Sequence, residues 1–282
     1  MQDNYTVRTM RADEVPLAVQ WAAQEGWNPG LDDAGLFFKA DPQGFLVGLL
    51  DGEPIATISA VKYGKTFGFV GFYIVQSEYR GKGYGLRLWD AAMQALAGRV
   101  VGLDGVVAQQ GNYRKSGFEP AYRNVRYEGR CGGVAPEHSG LVDISGQSLE
   151  SAVAYDRQFF PDDRAQFLRA WLSQPRAKAF GILAEGRLAG YGVIRQCRSG
   201  YKIGPLFADN DDYAEVLFQA LRSGYSAEVP LYLDVPEVNS QAVSLAQGHD
   251  MSVVFETARM YAGQVPDIPV DRIFGVTSFE LG

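Results

Sequence analysis

Cysteine and histidine are scarce, with two of each in 282 residues. Cys131 and Cys197 stand far apart and outside any Cys-x-x-Cys, which excludes a disulfide framework and fits a reducing compartment. His138 and His249 lie in polar, loop-like settings without metal-ligand spacing, so no metal is expected. Positive charge is also short: 26 Lys and Arg face 33 Asp and Glu, a net charge of −7. No basic block or basic–aromatic stripe exists, which argues against nucleic acid as a partner. The acidic balance mildly favours a cationic small substrate. No apolar stretch approaches the roughly 20 residues that a membrane span needs. The opening MQDNYTVRTMRADE lacks the basic-then-apolar pattern of a secretion signal. A cytoplasmic protein with no membrane partner is expected.

What the chain does have is glycine, 33 residues of it, within a composition that is 46% apolar. Such a chain is long enough for one large or two ordinary domains. Phe67 to Val75 is a near-continuous apolar run and reads as a buried strand. Arg80-Gly81-Lys82-Gly83-Tyr84-Gly85 follows as a glycine-dense turn. From Leu86 a helical period takes over through Trp89, Ala92, Met93 and Leu96. Strand, glycine turn and helix together place bare backbone N–H groups at a helix N-terminus, where an anion and above all a phosphate is favoured. Gly83 and Gly85 permit close approach and a positive φ. Arg80 and Lys82 add charge.

Around this stretch, Tyr5–Met10, Phe45–Leu50 and Ile55–Tyr63 read as strands, with Asp51-Gly52 as a type I′ hairpin turn. A helix opens at Ala12-Asp13-Glu14 and ends near Gly26. The Pro- and Gly-shaped loop after it carries Trp27 and Asn28, with Asp32 and Asp33 close behind, and is a candidate substrate wall. Val100–Asp104 and Ala121–Gly129 are further strands. Residues 130–136, Gly- and Pro-containing and without period, form the best linker. The boundaries expected are therefore 1–130 and 138–282.

The second half opens with a strand near Leu141, then helices over Ser148–Phe159 and Asp162–Leu172. Its Glu185-Gly186 turn repeats Asp51-Gly52 at an offset of 134, and the strand ending Tyr261-Ala262-Gly263 repeats Tyr127-Glu128-Gly129 at the same offset. This points to a duplicated domain. Shifting Val70–Gln76 by 134 lands on Gly204–Asn210, and no glycine turn follows. Asp209, Asp211 and Asp212 stand at the next helix N-terminus instead, and their carboxylates satisfy it and repel phosphate. The second half should keep the framework and lose the ligand. A Rossmann fingerprint is excluded by the spacing Gly81-x-Gly83-x-Gly85, and a P-loop by the absence of Gly-Lys-Ser/Thr.

Val75 to Gly85, with the Asn112-Tyr113-Arg114-Lys115-Ser116-Gly117-Phe118 segment downstream, resembles the GCN5-related N-acetyltransferase (GNAT) family. The resemblance covers residues 1–130 well and 138–263 in layout only. It implies an α+β fold of two such domains, each a mixed, mainly antiparallel twisted sheet flanked by helices, with the second domain degenerate. It also implies acetyl-CoA as acyl donor and an amine of a small molecule as acceptor. Backbone N–H groups from Arg80 through Gly81, Lys82, Gly83 and Tyr84 to Gly85 would hold the pyrophosphate. Ile74 and Val75 would pair with the pantetheine arm and polarise the thioester. Asn112 is a candidate hydrogen-bonding partner of that arm. Tyr113 matches the family's general acid.

The base is the open position, because the strand Phe67–Val75 has no acid. Glu25, Asp32, Asp33 and Asp104, or Tyr73 through a water, are the candidates. Asp33, Tyr73 and Asp104 join Trp27 and Asn28 as expected substrate-side residues. The missing strand acid leaves a second class open, a non-catalytic acyl-CoA-binding or sensing module. A covering role or a homodimer surface is the expectation for the second half.

Overall fold

A computed structural model describes residues 4–144 and 149–282. In the first half the elements are β1 (Tyr5–Thr9), α1 (Val15–Gln24), α2 (Asp33–Ala40), β2 (Phe45–Leu50), β3 (Glu53–Tyr63), β4 (Phe67–Val75), α3 (Tyr84–Ala95), β5 (Val100–Val106), α4 (Gln110–Lys115) and β6 (Glu119–Arg130). The second half has β7 (Leu141–Asp143), α5 (Leu149–Asp156), α6 (Ala165–Leu172), β8 (Ala177–Ala184), β9 (Arg187–Gln196), β10 (Tyr201–Ala208), α7 (Asp211–Ser223), β11 (Pro230–Pro236), α8 (Ser240–Gly248), β12 (Ser252–Ala262) and β13 (Ile273–Gly275). The two hairpin turns at offset 134 have matching backbones: φ is +52° and +91° at Asp51-Gly52, and +52° and +77° at Glu185-Gly186. Positive φ at both central residues matches the right-handed twist of the flanking strands.

All the strands join one mixed sheet in the order β1-β2-β3-β4-β5-β12-β6-β11-β10-β9-β8-β7, with β13 added on β10. The halves therefore exchange their last long strands. Among the described residues, strand β6 pairs only with second-half strands, β11 and β12, while β12 pairs with β5 of the first half. The linker after Arg130 separates two sequence repeats, but the folded units are not cut there.

In each half one pair of strands is parallel, and the pairing is short. β4 meets β5 only from Phe67↔Val100 to Val70↔Leu103, and β10 meets β11 only from Tyr201↔Leu231 to Ile203↔Leu233. Beyond these points the strands splay. In the second half the splay is filled by β13, which pairs with Leu206 and Phe207, and Val276 then donates its N–H to the Asp234 carbonyl. In the first half it stays open.

Helices of both halves share one core. Phe37 of α2 stacks on Trp171 of α6 at 5.9 Å, and Phe160 meets Tyr63 at 4.7 Å. Trp171 and Phe37 are fully buried, and burying rings of this size is worth a few kcal/mol each. The helix expected from Ser148 (itself outside the described residues) ends at Asp156, not Phe159. The next helix begins at Ala165, not Asp162. Asp162 is occupied elsewhere: it accepts hydrogen bonds from Lys65 N, Thr66 N and Thr66 Oγ1 at 2.7–2.9 Å, pinning the β3–β4 turn to the second half.

Burial raises the Asp162 carboxyl, but bonds from Thr66, Asp163 and Lys65 outweigh it and bring the carboxyl down to about 2 from 3.8. A depressed folded value stabilises the protein above the unfolded value and ceases to do so as pH falls through the folded one. Asp162→Asn is therefore expected to lower the melting temperature by about 3 °C at neutral pH. That difference should close between about pH 4 and pH 2 in thermal scans.

Candidate active site

The open splay between β4 and β5 forms a cleft of about 510 Å³. Gly71 to Val75 run along one wall with no partner strand on the β5 side. An unpaired strand edge offers backbone donors and acceptors to an extended ligand. Tyr73, Ile74 and Val75 line the cleft as expected, and so do Trp27, Asp104 and Tyr113. A bulge shapes the wall: Phe72 and Tyr73 together face Ile58. Phe72 takes φ +47°, its ring turns into the core, and its carbonyl accepts from Thr57 Oγ1 at 3.0 Å.

Of the Arg80–Gly85 turn, Arg80 lines the cleft, and α3 begins four residues later at Tyr84. Gly81 and Gly83 have φ of +74° and +87° with open space where a Cβ would be, and no side chain caps the helix. Its first-turn N–H groups are therefore available to an anion. Gly85 differs from expectation. It lies inside α3 without positive φ, and a Cβ there would come 2.8 Å from the Tyr73 hydroxyl and 3.0 Å from Val75, so its role is close packing of helix on strand. The Tyr84 ring is buried against Tyr5 at 4.9 Å, and the Tyr5 hydroxyl donates to the Tyr84 carbonyl at 3.1 Å. Lys82 is exposed, with Nζ 5.5 Å from the Tyr79 ring centre. Arg80 folds back, donating Nε–H to the Val75 carbonyl at 2.7 Å and pairing with Glu25. In the second half the equivalent helix is capped: Asn210 Oδ1 accepts from Tyr213 N at 2.9 Å, and Asp211 and Asp212 follow. Asp209 is not a cap; it pairs with Arg272 and Tyr155.

Three expected site residues lie elsewhere. Asn28 exchanges two 2.9 Å hydrogen bonds with the backbone of Ser199, tying its loop to the β9–β10 turn. Asp33 is fully buried, accepting from Gly30 N and pairing with Arg195. Asn112 is exposed and outside the cleft lining, and its amide donates to Gln109, the residue ahead of α4. Of the base candidates, Asp32 pairs with Arg176. Asp104 does reach the cleft, but Arg259 grips it with bonds of 2.8 and 2.9 Å and Asn124 donates a third at 2.8 Å.

Tyr113 packs on Trp89 at 5.4 Å and Phe118 at 6.5 Å. Burial, with Tyr73 nearby, pushes its hydroxyl well above the usual phenol range. The same cause pushes Tyr73 up to about 12. Both hydroxyls therefore remain protonated donors across the neutral range.

The cleft also holds residues with no counterpart among the expected ones. Phe255 and Thr257 come from the exchanged strand β12, and Phe279 and Glu280 from the segment after β13. Glu280 is the one charged residue in IFGVTSFELG, an isolated acid in an apolar run. That isolation was the only signal available in the sequence.

Two family models match this chain: the acetyltransferase (GNAT) family over residues 9–118 and an acetyltransferase (GNAT) domain over residues 152–275. Over 278 residues the chain is 31% identical to the holothin acyltransferase of a Pseudoalteromonas species, covering 99% of this chain and 95% of that enzyme. In fold it is similar to a Pyrococcus horikoshii protein assigned to the acetyltransferases, at a TM-score of 0.84 and 23% identity, covering 100% and 97% of the two chains. It is also similar to a tandem GNAT protein from the clavulanic acid biosynthesis pathway, at 0.64 and 15%, covering 93% and 100%.

Proposed function

The chain belongs to the GCN5-related N-acetyltransferase family as two such domains in tandem, and from that premise we propose that its first half transfers acetyl from acetyl-CoA to the amine of a small molecule. The observation carrying this reading is the uncapped N-terminus of α3, four residues after Arg80 in the wall of the open β4/β5 splay. The residues present fit the donor. N–H groups from Gly81 to Gly85 would hold its pyrophosphate, and the free edge at Gly71–Val75 would run beside its pantetheine arm. Bound there, the donor supplies an electrophilic thioester carbonyl. Tyr113, kept protonated, donates a hydrogen bond and then a proton to the departing thiolate.

The acceptor side is aromatic. Trp27, Phe255 and Phe279 suit a flat, apolar body carrying the amine. The Pseudoalteromonas relative is named for holothin, and a small-molecule acceptor is the corresponding reading here. The two free, buried cysteines fit work in a reducing cytoplasm.

The test is thiol release from acetyl-CoA across a panel of aromatic and aliphatic primary amines. Release with none of them would remove the reading. Tyr113→Phe is expected to lower kcat by about 100-fold while moving the KM for acetyl-CoA less than threefold. An unchanged kcat would mean that the thiolate leaves without this acid.

A further inference from the structure

Three carboxylates line the cleft: Glu25, Asp104 and Glu280. Glu25 is paired with Arg80, and Asp104 is held by Arg259 and Asn124. Glu280 differs. It is 3% exposed, and its Oε2 is buried with no hydrogen-bond partner among the described residues. A buried acceptor without a donor costs about 1–3 kcal/mol, and this one stands in the wall of a cleft open to a ligand or a water.

The placement of Glu280 is built in. The segment after β13 lies against β4 at Gly71, where a Cβ would come 2.0 Å from the Glu280 carbonyl oxygen. Only glycine lets the segment lie there. β13 itself fills the second half's own splay, so one stretch of ten residues closes the second cleft and enters the first.

We infer that Glu280 is the base of the first half's cleft, delivered by the second half, and that it holds the acceptor's ammonium group and takes its proton. This rests on the transferase reading above. The balance is complete. An ammonium proton passes to a Glu280 carboxylate oxygen, and the nitrogen lone pair attacks the thioester carbon. The C–N bond forms and the C–S bond breaks, the thiolate takes a proton from Tyr113, and the second proton shed by the new amide nitrogen restores the Tyr113 hydroxyl. Glu280 returns its proton to water through the cleft mouth.

The groups facing Glu280 decide its charge. Lys202, Arg126 and Arg195 stand around it, against Asp33 and Asp234, so the cluster without Glu280 has one positive charge in excess. That excess favours the carboxylate, while burial opposes it and raises its proton affinity above that of an ordinary glutamate. An ionised but desolvated carboxylate is a stronger base than a solvated one. The fourth strand has no acid of its own, and the closing segment supplies one from more than 200 positions downstream.

The experiment uses the full chain and the amine panel. Glu280→Gln is expected to lower kcat by about 100-fold near pH 7 while the acetyl-CoA Kd from calorimetry stays within about twofold. The deficit should shrink from about pH 7 to about pH 10, as the amine loses its proton to solvent unaided. Glu280→Asp keeps the charge and retracts it by one methylene. It should keep the wild-type melting temperature and pH profile with kcat about tenfold down. A Glu280→Gln enzyme within threefold of wild type across that range would overturn the assignment. So would a loss that is uniform with pH and accompanied by a lower melting temperature in both variants. If wild type releases thiol with no amine, the transferase reading fails and the base falls with it; that result is separate, because it precedes any variant.

Discussion

Gly83→Asp should weaken acetyl-CoA binding by about 100-fold or more, a loss of about 2.7 kcal/mol. Two effects add. Gly83 sits at φ +87°, where an L-residue costs about 1–2 kcal/mol. The new carboxylate would also stand at the N-terminus of α3, taking up the N–H groups and facing the donor's phosphates with like charge. Gly83→Ala separates the terms, since it carries the strain without the charge and should lose less. In the second half Asn210 caps the equivalent helix and Asp211 and Asp212 follow it, an arrangement of the same kind. Calorimetric titration with acetyl-CoA decides the matter, and an unchanged Kd for Gly83→Asp would remove the pyrophosphate from this turn.

The largest loss of stability is expected at Asp234, in the second half. Asp234 accepts two bonds from Arg126, at 2.6 and 2.7 Å, with Lys202 Nζ 4.0 Å away, and all three side chains are buried. Arg126 also donates to the Trp27 carbonyl at 2.8 Å and lies 4.8 Å from the Phe279 ring. Asp234→Ala removes the carboxylate within 4.0 Å of two buried cations, and removing one partner of such a pair costs about 3–5 kcal/mol. Loss of roughly 10 °C in melting temperature is the expected reading in thermal scans. Glu237→Ala, which removes a half-exposed partner of Arg123, should leave the melting temperature nearly unchanged. A shift at Asp234 no larger than at Glu237 would mean that the buried pair is dispensable. Because Arg126 supports both Trp27 and Phe279, the surviving folded fraction of Asp234→Ala should also turn over more slowly. The coupling between the halves is physical: one guanidinium holds a first-half loop, a second-half strand and the closing segment.

The legible part of this site is the part made by neighbours in sequence. Phe67–Val75 reads as a strand from its own residues, and the turn at Arg80–Gly85 reads as an anion site from its glycines. The duplicated hairpins at Asp51-Gly52 and Glu185-Gly186 are visible for the same reason: a turn's φ angles depend on the residues within it. Gly85 shows the limit. It is a glycine like Gly81 and Gly83, but the cause is Tyr73 and Val75 on the strand that the helix packs against, not a turn. Asn28 and Asp33 fail similarly. A polar residue on a shaped loop looks like a substrate contact, and only the partners Ser199 and Arg195, more than 160 positions away, show otherwise.

The amino-acid sequence by itself determined two related α+β units, one anion-binding turn, and the loss of that turn in the second unit. Each follows from local backbone preference and the period of apolar residues. Tertiary structure alone decided that β6 and β12 change places, that β13 closes one cleft while the other stays open, and that Glu280 stands in the open one. Strand edges are chemically alike along every strand, so local sequence cannot say which edge meets which. That choice is made when the two halves bury a common core, and the base of the proposed reaction arrives with it.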